Sequence, residues 1–201
     1  MDSRLQKLAQ LFLKFPGIGE RQARRFAFFI LNQQQGYIQE LTETIHTARS
    51  GAKQCPQCFR LHESASIRCA ICSSPNRDQS RLLIVEKQAD IEAVEQTSYN
   101  GLFFIFGGLI PIVEKKTMAK TRITELEARI TTDVEAGVLK EVILAFPLTA
   151  NGDHTEIYLR ELLQKKFPTL SVTSLGRGLS MGSELEYIDP RTLEISIAKR
   201  E

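Results

Sequence analysis

The first fifty residues carry apolar side chains at the spacing of amphipathic helices. One stripe has members at i, i+3, i+4 and i+7, namely Leu5, Leu8, Ala9 and Phe12. A second helix is expected to begin about Glu20, with a stripe formed by Ala23, Phe26, Ala27 and Ile30, and a third stripe comprises Leu41, Ile45 and Ala48. Proline and glycine within residues 15–19 separate the first two helices, and the polar residues 33–36 are expected to connect the second to the third.

From about residue 80 to residue 176, short apolar runs alternate with helical patterns. The runs at 82–85, 102–106, 142–145 and 170–172 predict strands, and the stretches 89–97, 121–130 and 155–167 predict helices. Strands buried on both faces read as continuous apolar runs, and helical crossovers join parallel strands, so we expect an α/β domain with a mostly parallel sheet. Binding sites in such domains tend to lie at the carboxyl ends of the strands.

Composition indicates in which cellular compartment the chain is expected. No apolar run approaches the roughly 20 residues of a membrane-spanning helix, and the first residues lack the pattern of a secretory signal. We therefore expect a cytoplasmic protein with reduced cysteines and no membrane role.

Residues 1–81 hold 12 Lys and Arg against 6 Asp and Glu, a net +6, whereas the remainder holds 14 against 18, a net −4. The basic part is expected to face a polyanion, with ordinary surface variation as the alternative interpretation.

All four cysteines of the chain lie within 18 residues, as two C-x-x-C pairs. The pairs are Cys55 with Cys58 and Cys69 with Cys72, and ten residues separate them. This spacing lets four thiolates converge tetrahedrally on one zinc ion, and four protein ligands leave no open position for catalysis, so we predict a structural zinc site. A redox pair, unrelated buried cysteines and an iron–sulfur cluster are the alternatives. His62 lies between the pairs and is expected to be a surface residue. A segment this short would take much of its folding free energy from the metal.

The turn at Pro16-Gly17-Ile18-Gly19 resembles the hairpin of the helix-hairpin-helix motif, a DNA-binding element. Glycines let the backbone come close to a phosphate, and the first N–H groups of the following helix are free donors with partial positive charge. Arginines follow at once, and the candidate DNA-binding residues are Gly17, Ile18, Gly19, Arg21, Arg24 and Arg25. Contacts of this kind go to the phosphate backbone, so binding should be independent of sequence and weakened by salt. The alternative is an ordinary helix turn with a solvated basic face.

The strand at 82–85 runs directly into Glu86 and then into a helix, which resembles the opening of a Toprim domain. In catalytic Toprim proteins this glutamate acts with a D-x-D pair that ends a later strand, and the carboxylates hold Mg²⁺. Here the corresponding strand runs into Pro147, Leu148 and Thr149, so the pair is absent. One carboxylate alone is a poor Mg²⁺ site. Glu86 is therefore interpreted as a structural or partner-binding acid, with a metal ligand as the alternative.

The order of these features resembles, over essentially the whole chain, the RecR family of bacterial recombination mediators. We divide the chain into a helix-hairpin-helix region at 1–52, a four-cysteine zinc finger at 53–79, a Toprim domain at 80–176 and a short C-terminal segment at 177–201. The closing run from Gly178 to Tyr187 also fits the family. Two departures are Ser180, where proline is usual, and Asn151-Gly152-Asp153, where an E-G-E-like run is usual. The position of the zinc finger suggests that it fixes the placement of its neighbours.

The resemblance implies a non-enzymatic DNA-repair protein that forms a dimer or a ring-shaped tetramer. It implies binding to single- and double-stranded DNA, partnership with RecO and RecF, and help in loading RecA onto single-stranded DNA. The basic pair of the family falls on Arg21 and Arg25, and its partner-contacting acid on Glu86. Two other classes remain open: a Mg²⁺-dependent Toprim nuclease or primase-like enzyme, and a zinc-dependent interaction module without a DNA role.

Overall fold

A computed structural model describes residues 3–112, 121–176, 182, 184–188 and 190–198. The chain divides into two compact units, Met1–Ala52 and Lys53–Glu201. Most of the glycine-rich run that begins at Gly178, including Ser180, lies outside the described residues. Among the helices of the described ranges, none combines the length and the apolar character needed to cross a membrane.

The first unit consists of three helices, as the apolar stripes predict. They are α1 (Ser3–Phe12), α2 (Glu20–Leu31) and α3 (Gln35–Gly51). Ala23 and Ala27 of α2 are fully buried, and the ring of Phe12 meets the ring of Phe26 edge-on at 5.8 Å. The predicted connection at 33–36 is too long, because α3 already begins at Gln35. Glycine destabilises a helix mainly in its interior, and Gly36 lies in the first turn, so it does not prevent α3 from starting at Gln35.

The first unit buries little of its apolar surface. Within the described residues up to Ala52, Ala23 and Ala27 are the only buried ones, and α3 has no buried residue. Large apolar side chains exposed by 40% or more are Leu11, Leu13, Phe15, Phe26, Phe28, Phe29, Leu31, Tyr37 and Ile45. The helices of this unit therefore show apolar faces that nothing in the described unit covers.

The second unit begins with the cysteine segment. Its regular elements are the short antiparallel strands β1 (Lys53–Gln54) and β2 (Leu61–His62) and the single-turn helix α4 (Ala70–Ser73). Three of the four cysteines are buried, and they belong to the same apolar core as the strands that follow. The cysteine segment is thus packed against the α/β part of the chain.

The α/β part has a four-stranded parallel sheet, which confirms the predicted fold class. Its strands are β3 (Asp78–Val85), β4 (Gly101–Ile105), β5 (Glu141–Ala145) and β6 (Ser171–Ser174), in the order β4-β3-β5-β6. The helices are α5 (Gln88–Val94), α6 (Ile123–Glu135), α7 (Ala150–Lys166) and α8 (Pro190–Ala198), and a short 3-10 helix spans Leu185–Tyr187. Val85 pairs with both Ile105 and Ala145, so the carboxyl ends of three strands lie level. The strand order reverses at β3, where ligands bind in folds of this kind.

Helix α7 begins five residues before the predicted position of Thr155. Thr149 is its N-cap, and the Thr149 hydroxyl accepts a hydrogen bond of 3.1 Å from the Gly152 N–H. Threonine is a favoured N-cap residue, and Asp153 is an acid in the first turn. The signal was therefore in the sequence, but the apolar spacing on which the prediction relied starts only at Thr155.

Candidate DNA-binding, metal-binding and partner-binding sites

The hairpin between α1 and α2 has the backbone that its glycines permit. Gly17 has a φ of +75°, a conformation that side chains with a Cβ rarely adopt. The Ile18 N–H donates to the Phe15 carbonyl at 3.2 Å and closes the turn. Gly19 is the N-cap of α2 and supplies no side-chain hydrogen bond. The first N–H groups of α2 are therefore available to an external acceptor.

The three arginines after this turn are exposed. Arg24 lies 3.7 Å from Glu20 in an ion pair whose side chains are 60% and 79% exposed, so the pair contributes little to stability. Across the described ranges, Arg21 and Arg25 form no hydrogen bond or ion pair. Free N–H donors and free guanidinium groups thus occupy the same end of α2, which suits a phosphate group.

The four cysteines, which the sequence predicts as metal ligands, come together as one cluster. All four sulfur atoms lie within 4.8 Å of one another, and the Sγ atoms of Cys58 and Cys69 are 3.5 Å apart. Thiolates at about 2.3 Å from a tetrahedral zinc ion would be about 3.8 Å apart, so the cluster fits a metal ion with little adjustment. Within the described ranges, no other group of three or more potential ligands converges in this way. The cluster is a metal-binding site.

The backbone of the first cysteine pair is held in a tight turn. The Phe59 N–H donates to the Cys55 carbonyl and the Cys55 N–H donates to the Arg60 carbonyl, each at 2.9 Å. Phe59 has a φ of +63°, although it is not a glycine. Its ring packs edge-on against Phe104 at 5.3 Å and beneath the Arg122 guanidinium at 4.8 Å. Such backbone strain persists only where the surroundings impose it, so these contacts hold the turn in place.

Proton sharing within the cluster separates the pKa values of the thiols when no metal is bound. Hydrogen bonds to Cys69 and Cys72, together with burial, raise the pKa of Cys58. The hydrogen bonds that Cys69 accepts, first of all from Cys58, lower its pKa. The hydrogen bond with Cys58 lowers the pKa of Cys72, but the hydrogen bond with Cys69 and burial outweigh it and raise that pKa to about 12. Protons therefore compete with a metal for this site.

His62, predicted to be a surface residue, is half-buried beside the metal cluster but is not part of it. Its Nδ1 atom is 2.7 Å from the Ser64 hydroxyl. Its Nε2 atom is buried and has no hydrogen-bond partner within the described residues. Four cysteines complete a tetrahedral site, so this histidine is not needed as a ligand.

Glu86 lies at the point where the strand order reverses, directly after β3. It is half-buried, and its carbonyl accepts a hydrogen bond of 2.9 Å from the Gly107 N–H. As far as the described ranges extend, its carboxylate forms no hydrogen bond or ion pair. The structure does not gather Asp153 or Glu156 with it into a ligand cluster, and Glu156 is engaged by Arg160 and Ser174. Among the described residues, Glu86 is thus an acid without a cation, and it lies where ligands bind in folds of this kind.

Within Asn151-Gly152-Asp153, the glycine has a structural role that the family pattern does not reveal. A Cβ on Gly152 would lie 1.9 Å from the Pro147 carbonyl oxygen, so the chain needs glycine there. The close approach brings the start of α7 against the end of β5. A glycine in the first turn of a helix was the only signal in the sequence.

Sequence reasoning also missed the contacts that join the cysteine segment to the α/β part of the chain. The Cys58 carbonyl accepts a hydrogen bond from the Ile105 N–H of β4 at 2.9 Å. The Leu61 N–H donates to the Gln88 side-chain oxygen at 2.8 Å, and Arg60 forms an ion pair with Glu95 at 3.0 Å. These contacts link residues 27 to 47 positions apart, and nothing in the local pattern signals them.

Three family models match the chain. They describe the RecR helix-hairpin-helix at residues 5–49, a Toprim domain at 80–175 and the RecR C-terminal region at 178–201. Together they follow the order that the sequence motifs suggest.

Curated relatives match nearly the full length. A protein from Synechococcus sp. (strain CC9605) is 37% identical over 98% of both chains. One from Bacteroides thetaiotaomicron is 36% identical over 98% of this chain and 92% of its own, and one from Mycobacterium sp. (strain KMS) is 36% identical over 98% and 96%. All three are named "Recombination protein RecR". The chain therefore belongs to the RecR family of recombination proteins.

Proposed function

We propose that this protein is a non-enzymatic mediator of DNA recombination and repair that binds DNA through the hairpin of its first unit. Its role in recombination and repair follows from the family to which it belongs. The observation that carries the DNA-binding proposal is the free end of α2, where uncapped N–H groups stand beside Arg21, Arg24 and Arg25. Gly17, Ile18 and Gly19 would let the backbone approach the phosphate closely. These groups recognise phosphates and not bases, so both single- and double-stranded DNA are ligands.

We also propose that the metal is one structural zinc ion held by Cys55, Cys58, Cys69 and Cys72. The sulfur-only donor set supports zinc, because thiolates prefer such an ion to the hard cations Mg²⁺ and Ca²⁺. The four ligands fill a tetrahedral site, so the ion has no open position for chemistry.

Glu86 and the apolar faces of the first unit support two kinds of assembly. Glu86 has no cation among the described residues, and we propose that it contacts basic groups on RecO or RecF. The uncovered apolar side chains of α1, α2 and α3 support self-association through the first unit, as a dimer or as a ring-shaped tetramer. In this proposal the assembly helps load RecA onto single-stranded DNA in the cytoplasm.

The central test is DNA binding by the variant Arg21→Ala with Arg25→Ala. Affinity for a labelled oligonucleotide, measured by fluorescence anisotropy across salt concentrations, should fall because two phosphate contacts are lost. The slope of log affinity against log salt should flatten by about 1.4 on single strands and about 1.8 on duplex. Arg49→Ala removes an exposed arginine from the last turn of α3 and is the matched control.

A second measurement in the same experiment separates the two proposed surfaces. Glu86→Gln should weaken binding to RecO or RecF and leave DNA affinity unchanged, whereas the double arginine variant should do the reverse. Unchanged DNA affinity and salt slope in the arginine variant would rule out the hairpin as the DNA contact. Equal loss of both activities in both variants would indicate misfolding and would contradict the separation.

A further inference from the structure

One largely buried arginine of the Toprim domain reaches the backbone of the cysteine segment. Arg129 of α6 has a side chain that is only 10% exposed. Its Nε atom donates to the Asp133 carboxylate at 2.5 Å, and its Nη1 atom donates to the Gln57 carbonyl at 3.1 Å. The ion pair with Asp133, one helical turn away, orients the guanidinium toward the cysteine segment.

Gln57 is a sensitive position, because it lies between the paired ligands Cys55 and Cys58. Its carbonyl belongs to the peptide that leads into Cys58. The next carbonyl, that of Cys58, is held by the Ile105 N–H of β4. Two consecutive carbonyls of this turn are thus fixed by the Toprim domain, which restricts the directions in which the Cys55 and Cys58 sulfur atoms can point.

The charge of Arg129 also suits this location. Four thiolates around one divalent ion carry more negative charge than the ion neutralises, and buried net charge is unfavourable unless it is compensated. Arg129 lines a cavity of about 200 Å³ together with Arg68 and Cys72. Cys72 is the one ligand of the four that is not fully buried, so Arg129 lies beside the most exposed ligand of the metal site.

We propose that Arg129 is a positioning residue of the metal centre, which holds the first ligand pair in its metal-bound geometry and slows release of the ion. The inference rests on the zinc site proposed above. Groups that orient metal ligands typically change metal affinity by about 10- to 100-fold when they are removed. Because coupling between two sites is reciprocal, the ion should in turn stabilise α6 and the neighbouring edge of β4.

The test compares zinc release from full-length variants. Arg129→Met keeps most of the buried side-chain volume but loses the hydrogen bonds and the charge. We expect it to release zinc to a chromogenic chelator at least about tenfold faster than the unaltered protein. Arg129→Lys keeps the charge but has a single donor nitrogen, which cannot reproduce both contacts of the guanidinium, and should give an intermediate rate.

The chain provides a matched control at the other edge of the sheet. Arg160 of α7 also pairs with an acid one turn away, Glu156, and also donates to a backbone carbonyl, that of Val172 at 2.5 Å. Arg160→Met should lower the thermal stability of the domain to a similar degree while leaving the rate of zinc release unchanged. A purely structural role of Arg129 predicts the same release rate for both methionine variants, and that result would overturn the proposal.

Hydrogen exchange provides the reciprocal measurement. Removal of zinc from the unaltered protein should increase amide exchange in α6 and β4 more than in α7 and β6, and equal increases would contradict the coupling.

If Arg129→Met does not fold, Arg129→Lys and Asp133→Asn carry the test, and unchanged zinc release in both would also overturn the inference. A purified protein without stoichiometric zinc would refute the zinc site itself, which is a separate outcome from unchanged release in a zinc-loaded protein.

Discussion

At the scale of single residues, several positions are determined by close approach and not by local propensity. Phe59 adopts a positive φ because Phe104 and Arg122 hold its ring. Gly152 is required because the Pro147 carbonyl occupies the space of a side chain. In both cases the constraint comes from a neighbour outside the residue's own helix or turn. The residue type alone therefore does not reveal it.

Gly152→Ala should destabilise the second unit. The added methyl would lie 1.9 Å from the Pro147 carbonyl oxygen, and a backbone atom cannot move aside as a flexible side chain can. The cost should be about 1–3 kcal/mol, as for other overpacked sites, and the melting temperature should fall by several degrees. Gly36→Ala in α3 is the control, because nothing lies within 4 Å of the position that its methyl group would take, and no loss of stability is expected. Equal melting temperatures for both variants would show that the end of β5 can relax.

At the scale of elements, the cysteine segment has almost no regular structure of its own. Its two strands have two residues each, and α4 is a single turn. It is held by the metal cluster on one side and by hydrogen bonds to β4, α5 and α6 on the other. Metal binding and the contacts with β4, α5 and α6 therefore both stabilise the structure of this segment.

Metal binding should weaken as the pH falls. A metal ion needs four thiolates, whereas hydrogen bonding to Cys69 and Cys72 raises the pKa of Cys58 in the metal-free cluster, and the pKa of Cys72 reaches about 12. The metal-free state therefore holds more protons than the metal-bound state, and acid favours the metal-free state. Titration of zinc with a competing chelator between pH 6 and pH 8 should show up to about tenfold weaker affinity per pH unit for each proton displaced. An affinity that is constant over this range would show that the thiols are already ionised without metal.

At the scale of the whole molecule, the two units differ in how much core they contain. The second unit has a continuous apolar core that extends from the buried cysteines to the strands and helices of the sheet. The first unit buries only two alanines among its described residues and exposes several phenylalanines. A surface of this kind usually marks an interface, which favours assembly through the first unit.

Phe28→Asp should therefore shift the protein toward smaller assemblies. Phe28 lies on α2 and is 48% exposed, so a charge there is tolerated in a single chain but unfavourable at an apolar interface. Solution mass, measured by light scattering at several concentrations, should decrease. Ile67→Asp, at a side chain 77% exposed in the cysteine segment, should leave the mass unchanged. If both variants keep the mass of the unaltered protein, the face on α2 does not mediate assembly.

Much of the fold could be predicted from short-range patterns in the sequence. The helical stripes of α1 and α2, the apolar runs of the four parallel strands and the two C-x-x-C pairs are all local signals, and each element is present in the structure. Element ends were less accurate, as at Gln35 and Ala150, because caps and first turns depend on single hydrogen bonds and not on the apolar repeat. The candidate arginines of the hairpin lie exposed on one helix, but their contact with DNA stays a prediction.

The sequence by itself thus determined the elements, their order and the four metal-binding cysteines, because each of these is encoded within a few consecutive residues or by one residue type. Only the tertiary structure decided what the cysteine segment packs against, that Arg129 reaches Gln57, and that Gly152 meets Pro147. Contacts of this kind depend on how strands are ordered in the sheet and on which side chains the folded chain brings together. Neither the strand order nor these long-range contacts can be read from a local sequence pattern.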